Sequence, residues 1–220
     1  MSASKVCKSS QRASELRAVQ ALIDDRIARP HLVGRPDVIT RRIERLGLRI
    51  QPEIHFGITN PHDDPRYEEY WSQYHKLVDR KGVTIDEAKT IIRTNTTAIA
   101  AMALRRGEAD AMICGTYGQY EWHLKYVLDI VGRKPGAKDV SALSALILSK
   151  GTYFLCDTHV TPDPSPEEIA EMTELGAETV KRFGMTPKVA LLSHSNFGSA
   201  NCPSADKMRA AMALLMEKDL

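Results

Sequence analysis

The sequence is short of the features that mark membrane, secreted and metal-bound proteins. No window approaches the ~18 uninterrupted apolar residues that a membrane-spanning helix needs. The opening stretch MSASKVCKSSQR lacks the apolar core of a signal peptide. Cysteine is sparse, and Cys7, Cys114, Cys156 and Cys202 form no CxxC pair. That spacing argues against a disulfide framework or a zinc site, and predicts a reducing, cytoplasmic setting. Cys114 and Cys156 end apolar runs and are expected as buried, inert thiols. An excess of one charge is missing too. Thirty Lys and Arg against 28 Asp and Glu leave +2, too even to argue for nucleic acid or an acidic membrane. No internal repeat, coiled coil or low-complexity tract is evident, and the nucleophile-elbow pattern G-x-S-x-G is absent.

What remains is an ordinary globular composition: 220 residues, 43% hydrophobic and 26% charged. Helical and strand-like segments alternate along it. Helices are expected over 14–28, from Pro36 to Gly47, from Asp64 with Pro65 at its first position, and from Thr84 to Arg106. Thr84 with Glu87, and Ser165 with Glu168, form capping boxes. Ser204 is expected to cap a last helix. HLVG (31–34) is a short apolar run closed by Gly34, IHFGI (54–58) reads as a strand, AMIC (111–114) as a buried strand and KVALLS (188–193) as a short, fully apolar one. ALILSKGTYFLC (145–156) reads as a hairpin turning at Lys150 and Gly151. This alternation predicts an α/β fold with a largely parallel sheet and helices on both faces.

Ligands of such sheets bind outside the carboxyl ends of strands. Two loops are expected there: CGTYGQYEWHLKY (114–126) and LLSHSNFGSAN (191–201). Both are rich in Gly, hydroxyl and amide groups, and both precede helices, whose N-terminal amides attract anions. A nucleophile is the weaker reading of the second loop. Ser193 and His194 are neighbours on an extended chain and point to opposite sides. In NPHDDP, Asp64 reads as a helix cap within a turn rather than, with His62 and Asp63, as a metal ligand. Trp122 and His123 fit a helix that buries its ring and satisfies its imidazole, and Lys125 a solvated cation. A ring and a cation beside a Gly loop equally suit a nucleotide-like ligand. The basic stretch RRIERLGLR (41–49) reads as a solvated helix face.

The strings PKVALLSHSNFGSA, GEADAMICGTYGQYEWHL, RKGVT and KGTYFLCDTHVTPDPSPEEIAEMT resemble the phosphate acetyl/butyryl transferase family. The closest likeness is to its version at the C-terminal end of bacterial NADP-dependent malic enzymes. The resemblance implies an isocitrate/isopropylmalate dehydrogenase-like fold in two parts. Active members move an acyl group between coenzyme A and phosphate. The malic enzyme version implies an acyl-CoA-binding regulatory and assembly role without turnover. The ligand side is then expected at Gly115, Thr116, Tyr117, Gly118, Lys125, Ser193, Ser195, Asn196, Gly198 and Ser199, with Arg80 as a cleft cation. No covalently held cofactor and no metal are expected. The partners expected are acyl-CoA, phosphate, and either a second copy or a separate malic enzyme chain, with no nucleic acid and no membrane.

The departures from the transferase pattern are specific. Active members usually read S-x-S-T-K-G-S-A in the second loop; here Asn196 takes the Thr position and Phe197 the Lys position. Their first loop usually reads S-G-A-A-H-S, with an Arg further on; here it is CGTYGQ, with Lys125 at the Arg position. Lys keeps the charge and loses the two-pronged grip on phosphate. The late N-D-L-S-R-G segment of active members is not present. The expectation is therefore a partial domain over 14–220, behind a polar leader over 1–13 and without the usual first strand. Alternatives are an active phosphate acyltransferase and a remnant that only oligomerises.

Overall fold

The computed structural model describes residues 4–8, 12–115 and 117–218. The chain forms two compact units, Met1–Gly132 and Arg133–Leu220. The first holds a four-stranded sheet of β1 (Ser4–Lys8), β2 (Arg29–Val33), β3 (Gly57–Thr59) and β4 (Ala111–Ile113), in the order β3-β2-β1-β4. All three pairings are parallel. β1 corrects the expected leader and the expected lack of a first strand. SKVCK carries too little apolar character to read as a strand, but neighbours on both sides complete its backbone ladder, Ser4 opposite Arg29 and Cys7 opposite Ile113. The rest of the expected leader, apart from Arg12 and Ala13, lies outside the described residues.

Six helices of this unit surround the sheet: α1 (Ala13–Asp24), α2 (Pro36–Arg45), α3 (Tyr67–Val78), α4 (Ile85–Thr94), α5 (Thr96–Arg105) and α6 (Tyr120–Ile130). Adjacent residues of a strand face opposite ways, and β2 shows the consequence. Leu32 packs with Leu16, Val19, Ile39 and Ile43 of α1 and α2. Val33 packs with Tyr70, Tyr74, Ile92, Ile99 and Tyr126 of α3 to α6. Helices therefore cover both faces.

The helix expected from Thr84 to Arg106 is two. Asn95 leaves the helical region at φ −101° and ψ 102°, and its side chain accepts the Ala98 N–H at 3.0 Å, so it ends α4 and caps α5. Asn competes well with a helix's own hydrogen bonds. The third helix begins at Tyr67, later than Pro65, because Asp64 makes a turn with the Arg66 N–H at 2.8 Å.

The Tyr74 hydroxyl is buried with no hydrogen-bond partner among the described residues. Burial, with Tyr126 and Asp129 nearby, pushes its pKa up to about 12. An unpaired buried hydroxyl costs stability, so Tyr74→Phe is expected to gain about 1 kcal/mol. Urea unfolding checks the sign; a loss would mean that the hydroxyl has a partner.

The second unit holds an antiparallel hairpin, β5 (Ser144–Leu148) and β6 (Gly151–Leu155), and two helices packed together, α7 (Pro166–Arg182) and α8 (Pro203–Glu217). Both capping boxes form as the sequence predicts, and so does the hairpin, which turns at Ser149 and Lys150, one residue earlier than expected. The last helix is capped at Cys202 with Pro203 at its first position, ahead of Ser204. KVALLS is not a strand. No neighbour pairs with it among the described residues, and Val189 and Leu192 are exposed. The buried-strand reading of AMIC also fails at Ile113, which is exposed. Cys156 is exposed and Cys114 half-buried, so neither is the buried thiol expected.

Candidate ligand-binding site

The loop after β4 stands at the carboxyl end of a parallel strand. Gly115 and Gly118 take φ of +117° and +91°, a region that side chains resist. A Cβ at Gly118 would also stand 3.2 Å from His123 Nε2. His123 is buried on α6 and anchors this loop. Its Nε2 meets the Tyr117 carbonyl at 2.6 Å and its Nδ1 meets Thr97 Oγ1 at 2.9 Å. A carbonyl only accepts, so Nε2 carries the proton. The satisfied imidazole is as expected. The buried Trp122 ring is not: Trp122 is half-exposed, and Tyr117 more so. Thr116 lies outside the described residues.

Lys125 is not a free cation. It pairs with Asp129 one turn on, at 2.9 Å, and lies 5.0 Å from the Tyr126 ring centre. Lys81, in the one-turn helix Asp79–Lys81, pairs with the same carboxylate. Burial would raise the Asp129 pKa, but the bonds from Lys81 and Lys125 hold it below the usual carboxylate value. The structure thus brings the Arg80–Lys81 turn to the helix that carries Lys125.

The second loop lies in the other unit. It follows no strand, which corrects its expected position. Asn196–Gly198 form a single tight turn. The Ser195 hydroxyl accepts the Ala200 N–H at 2.8 Å, and the Ser199 hydroxyl donates to the Asn196 carbonyl at 2.7 Å. Among the described residues neither Ser193 nor Ser195 bonds His194, so no nucleophile and base are assembled. Phe197 holds a left-handed backbone, φ 52° and ψ 30°, with its ring fully exposed. Such a backbone is uncommon for a bulky residue.

Sequence reasoning missed three arginines. Arg209 of α8 donates to the Gly198 and Ala200 carbonyls and pairs with Asp206, tying the second loop to its helix. The Arg12 guanidinium lies 5.5 Å from the Tyr117 ring centre. Arg66 holds Asp64 by two prongs, 2.7 and 2.9 Å, and reaches Glu108 at 2.5 Å and Thr59 Oγ1 at 2.9 Å. Only this last had a local signal, an Asp two residues before an Arg in DDPR. It also leaves Asp64 engaged by a cation of the chain itself.

A parallel sheet with helices on both faces makes the first unit an α/β fold, with the glycine loop at the carboxyl end of β4. The chain belongs to the phosphate acetyl/butaryl transferase family, whose model matches residues 6–220. It is 51% identical over 202 residues to an NAD-dependent malic enzyme of Rhizobium meliloti, covering 92% of this chain and 26% of that one. It is 47% identical over 208 residues to an NADP-dependent malic enzyme of Escherichia coli, covering 94% and 27%. The chain thus spans about a quarter of these relatives. A phosphate acetyltransferase of Corynebacterium glutamicum is 31% identical over 198 residues, covering 90% and 59%. The solved phosphotransacetylase of Streptococcus pyogenes superposes with a TM-score of 0.88 at 25% identity, covering 99% and 65%.

Proposed function

We propose that the chain is a phosphotransacetylase-like domain of the malic enzyme type. It binds acyl-CoA and phosphate as a regulatory and assembly module, without turnover of its own. The observation that carries this is Phe197. The loop that matches the transferase Ser loop presents an apolar ring at the Lys position, fully exposed, where an ammonium would meet developing charge. The 51% and 47% identities to malic enzymes favour the same reading. In the first unit the candidate contacts are Gly115, Thr116, Tyr117, Gly118 and Lys125; in the second, taken by itself, they are Ser193, Ser195, Asn196, Gly198 and Ser199. Arg80 adds a cation. The assembly role is supported by the hairpin, where Leu146, Ile147, Leu148, Tyr153 and Leu155 are exposed. Apolar patches of that kind mark interaction surfaces, here for a second copy or a malic enzyme chain in the cytoplasm.

A second reading, an active phosphate acyltransferase, is favoured by the two cations Lys81 and Lys125 beside the loop's helix and by the similarity to phosphate acetyltransferases. Two variants test the binding claim. Gly198→Val forces a side chain onto a φ of +71°, and Ser195→Ala removes the hydroxyl that orders the loop. Each is expected to weaken acetyl-CoA binding at least about tenfold, the factor for roughly 1.4 kcal/mol. Unchanged affinity in both folded variants would remove this loop from the site.

A further inference from the structure

We propose that Tyr117 and Trp122 form a stacking platform for the adenine base of a coenzyme A-type ligand, with Arg12 bracing the first ring. This rests on the acyl-CoA reading and adds which end of the ligand the first unit takes. The two rings are the most exposed of the described aromatics of this unit, ahead of Tyr120. Tyr70 and Tyr74 are buried, whereas Tyr117 is 72% and Trp122 50% exposed.

Both rings are nonetheless held in place. The Tyr117 backbone is fixed by His123 at 2.6 Å, and Arg12 lies 5.5 Å from its ring centre. Trp122 and Tyr126 meet edge to face, ring centres 6.0 Å apart at 72°. A Cβ on Gly118 would stand 3.6 Å from the Trp122 ring, so the glycine keeps that ring beside the loop. Each ring is therefore positioned on one side and open on the other. Aromatic faces so presented stack on bases whatever the base, because every base has a π-face. An arginine against the ring adds cation–π attraction.

Charge identifies the occupant. Lys125 follows Trp122 by three residues on α6, about 4.5 Å of rise. It lies over Tyr126, which Trp122 also touches. Lys81 joins it at Asp129. Rings at one end and ammonium groups at the other match a base linked to phosphate. Two ammonium groups share the single Asp129 carboxylate, so one positive charge is left over for a phosphate. A free adenine nucleotide shares this chemistry, so the test separates the two sources.

Acetyl-CoA, acetyl-pantetheine and adenosine 3′,5′-bisphosphate are titrated into the wild-type chain and into Tyr117→Ala and Trp122→Ala. Circular dichroism confirms that each variant is folded; both side chains are at least half exposed, so neither substitution opens the core. Each variant is expected to bind acetyl-CoA and the bisphosphate about tenfold more weakly, the scale of one lost base stack, with acetyl-pantetheine unchanged. Wild-type affinity for acetyl-CoA in both variants would overturn the platform. So would an equal loss for acetyl-pantetheine. If the wild type binds the bisphosphate in a Tyr117-dependent way but not acetyl-CoA, the platform stands and the acyl-CoA reading falls. If the wild type binds none of the three, both fall.

Discussion

Replacing Arg66 with alanine is expected to cost about 2–3 kcal/mol of folding stability, below the figure for a fully buried pair because the site is partly open to water. The guanidinium ties the end of β3 and the turn beyond it to the segment that leads into β4. It grips Asp64, reaches Glu108 and donates to Thr59, while the Tyr70 hydroxyl donates to Glu108 at 2.6 Å. Asp64 is nearly buried, with 9% of its side chain exposed. Without Arg66 it is left as an unpaired charge in a poor solvent, which costs more than the pair itself contributes. Burial would raise the Asp64 and Glu108 pKa values. The bonds from Arg66 to Asp64, and from Tyr70 and Arg106 to Glu108, hold both below 3.8 and 4.5 instead. Depressed carboxylates stabilise the fold above their unfolded pKa values, and the benefit fades as pH falls through the folded ones. Urea midpoints of the wild type should therefore fall steeply below about pH 4.5. Arg66→Ala should start lower and fall less. Parallel pH profiles would show that Arg66 does not sustain these carboxylates.

Gly57→Ala is expected to cost about 2–3 kcal/mol, in the range of overpacking a tight interior. Gly57 pairs with His31 in the β2–β3 ladder. Its Cβ would stand 2.6 Å from the imidazole Nδ1. The ring cannot yield cheaply, because its Nε2 bonds Thr59 Oγ1 at 2.7 Å and Arg66 shares that oxygen. Burial first, and Arg66 second, lower the His31 pKa, so the ring stays neutral in this place. His31→Ala should rescue much of the loss in a double-mutant cycle. Additive losses would deny the contact.

The same residues show where a sequence is legible. The hairpin and the two capping boxes were readable because their signals are local: a Ser-Lys-Gly stretch between two apolar runs, and Thr or Ser three residues before Glu. The α/β alternation was readable from apolar spacing. β1 was not, because its strand character comes from neighbours more than 20 residues away in sequence. KVALLS misled in the opposite direction: it has strand residues, and among the described residues no strand pairs with it. In the candidate site, the satisfied imidazole of His123 agrees with the reading of that helix made from sequence. The pairing of Lys81 with Asp129, and the reach of Arg12 and Arg209 to the two loops, depend on tertiary placement. No spacing rule announces them.

The central claim is a ligand site without chemistry. It is tested most directly by titrating acetyl-CoA into the wild-type chain calorimetrically, then adding phosphate to the same sample and following coenzyme A release with a thiol reagent. The account predicts saturable heat, and release no faster than in a protein-free control. Release above that control, or a folded sample that takes up no acetyl-CoA, would contradict it.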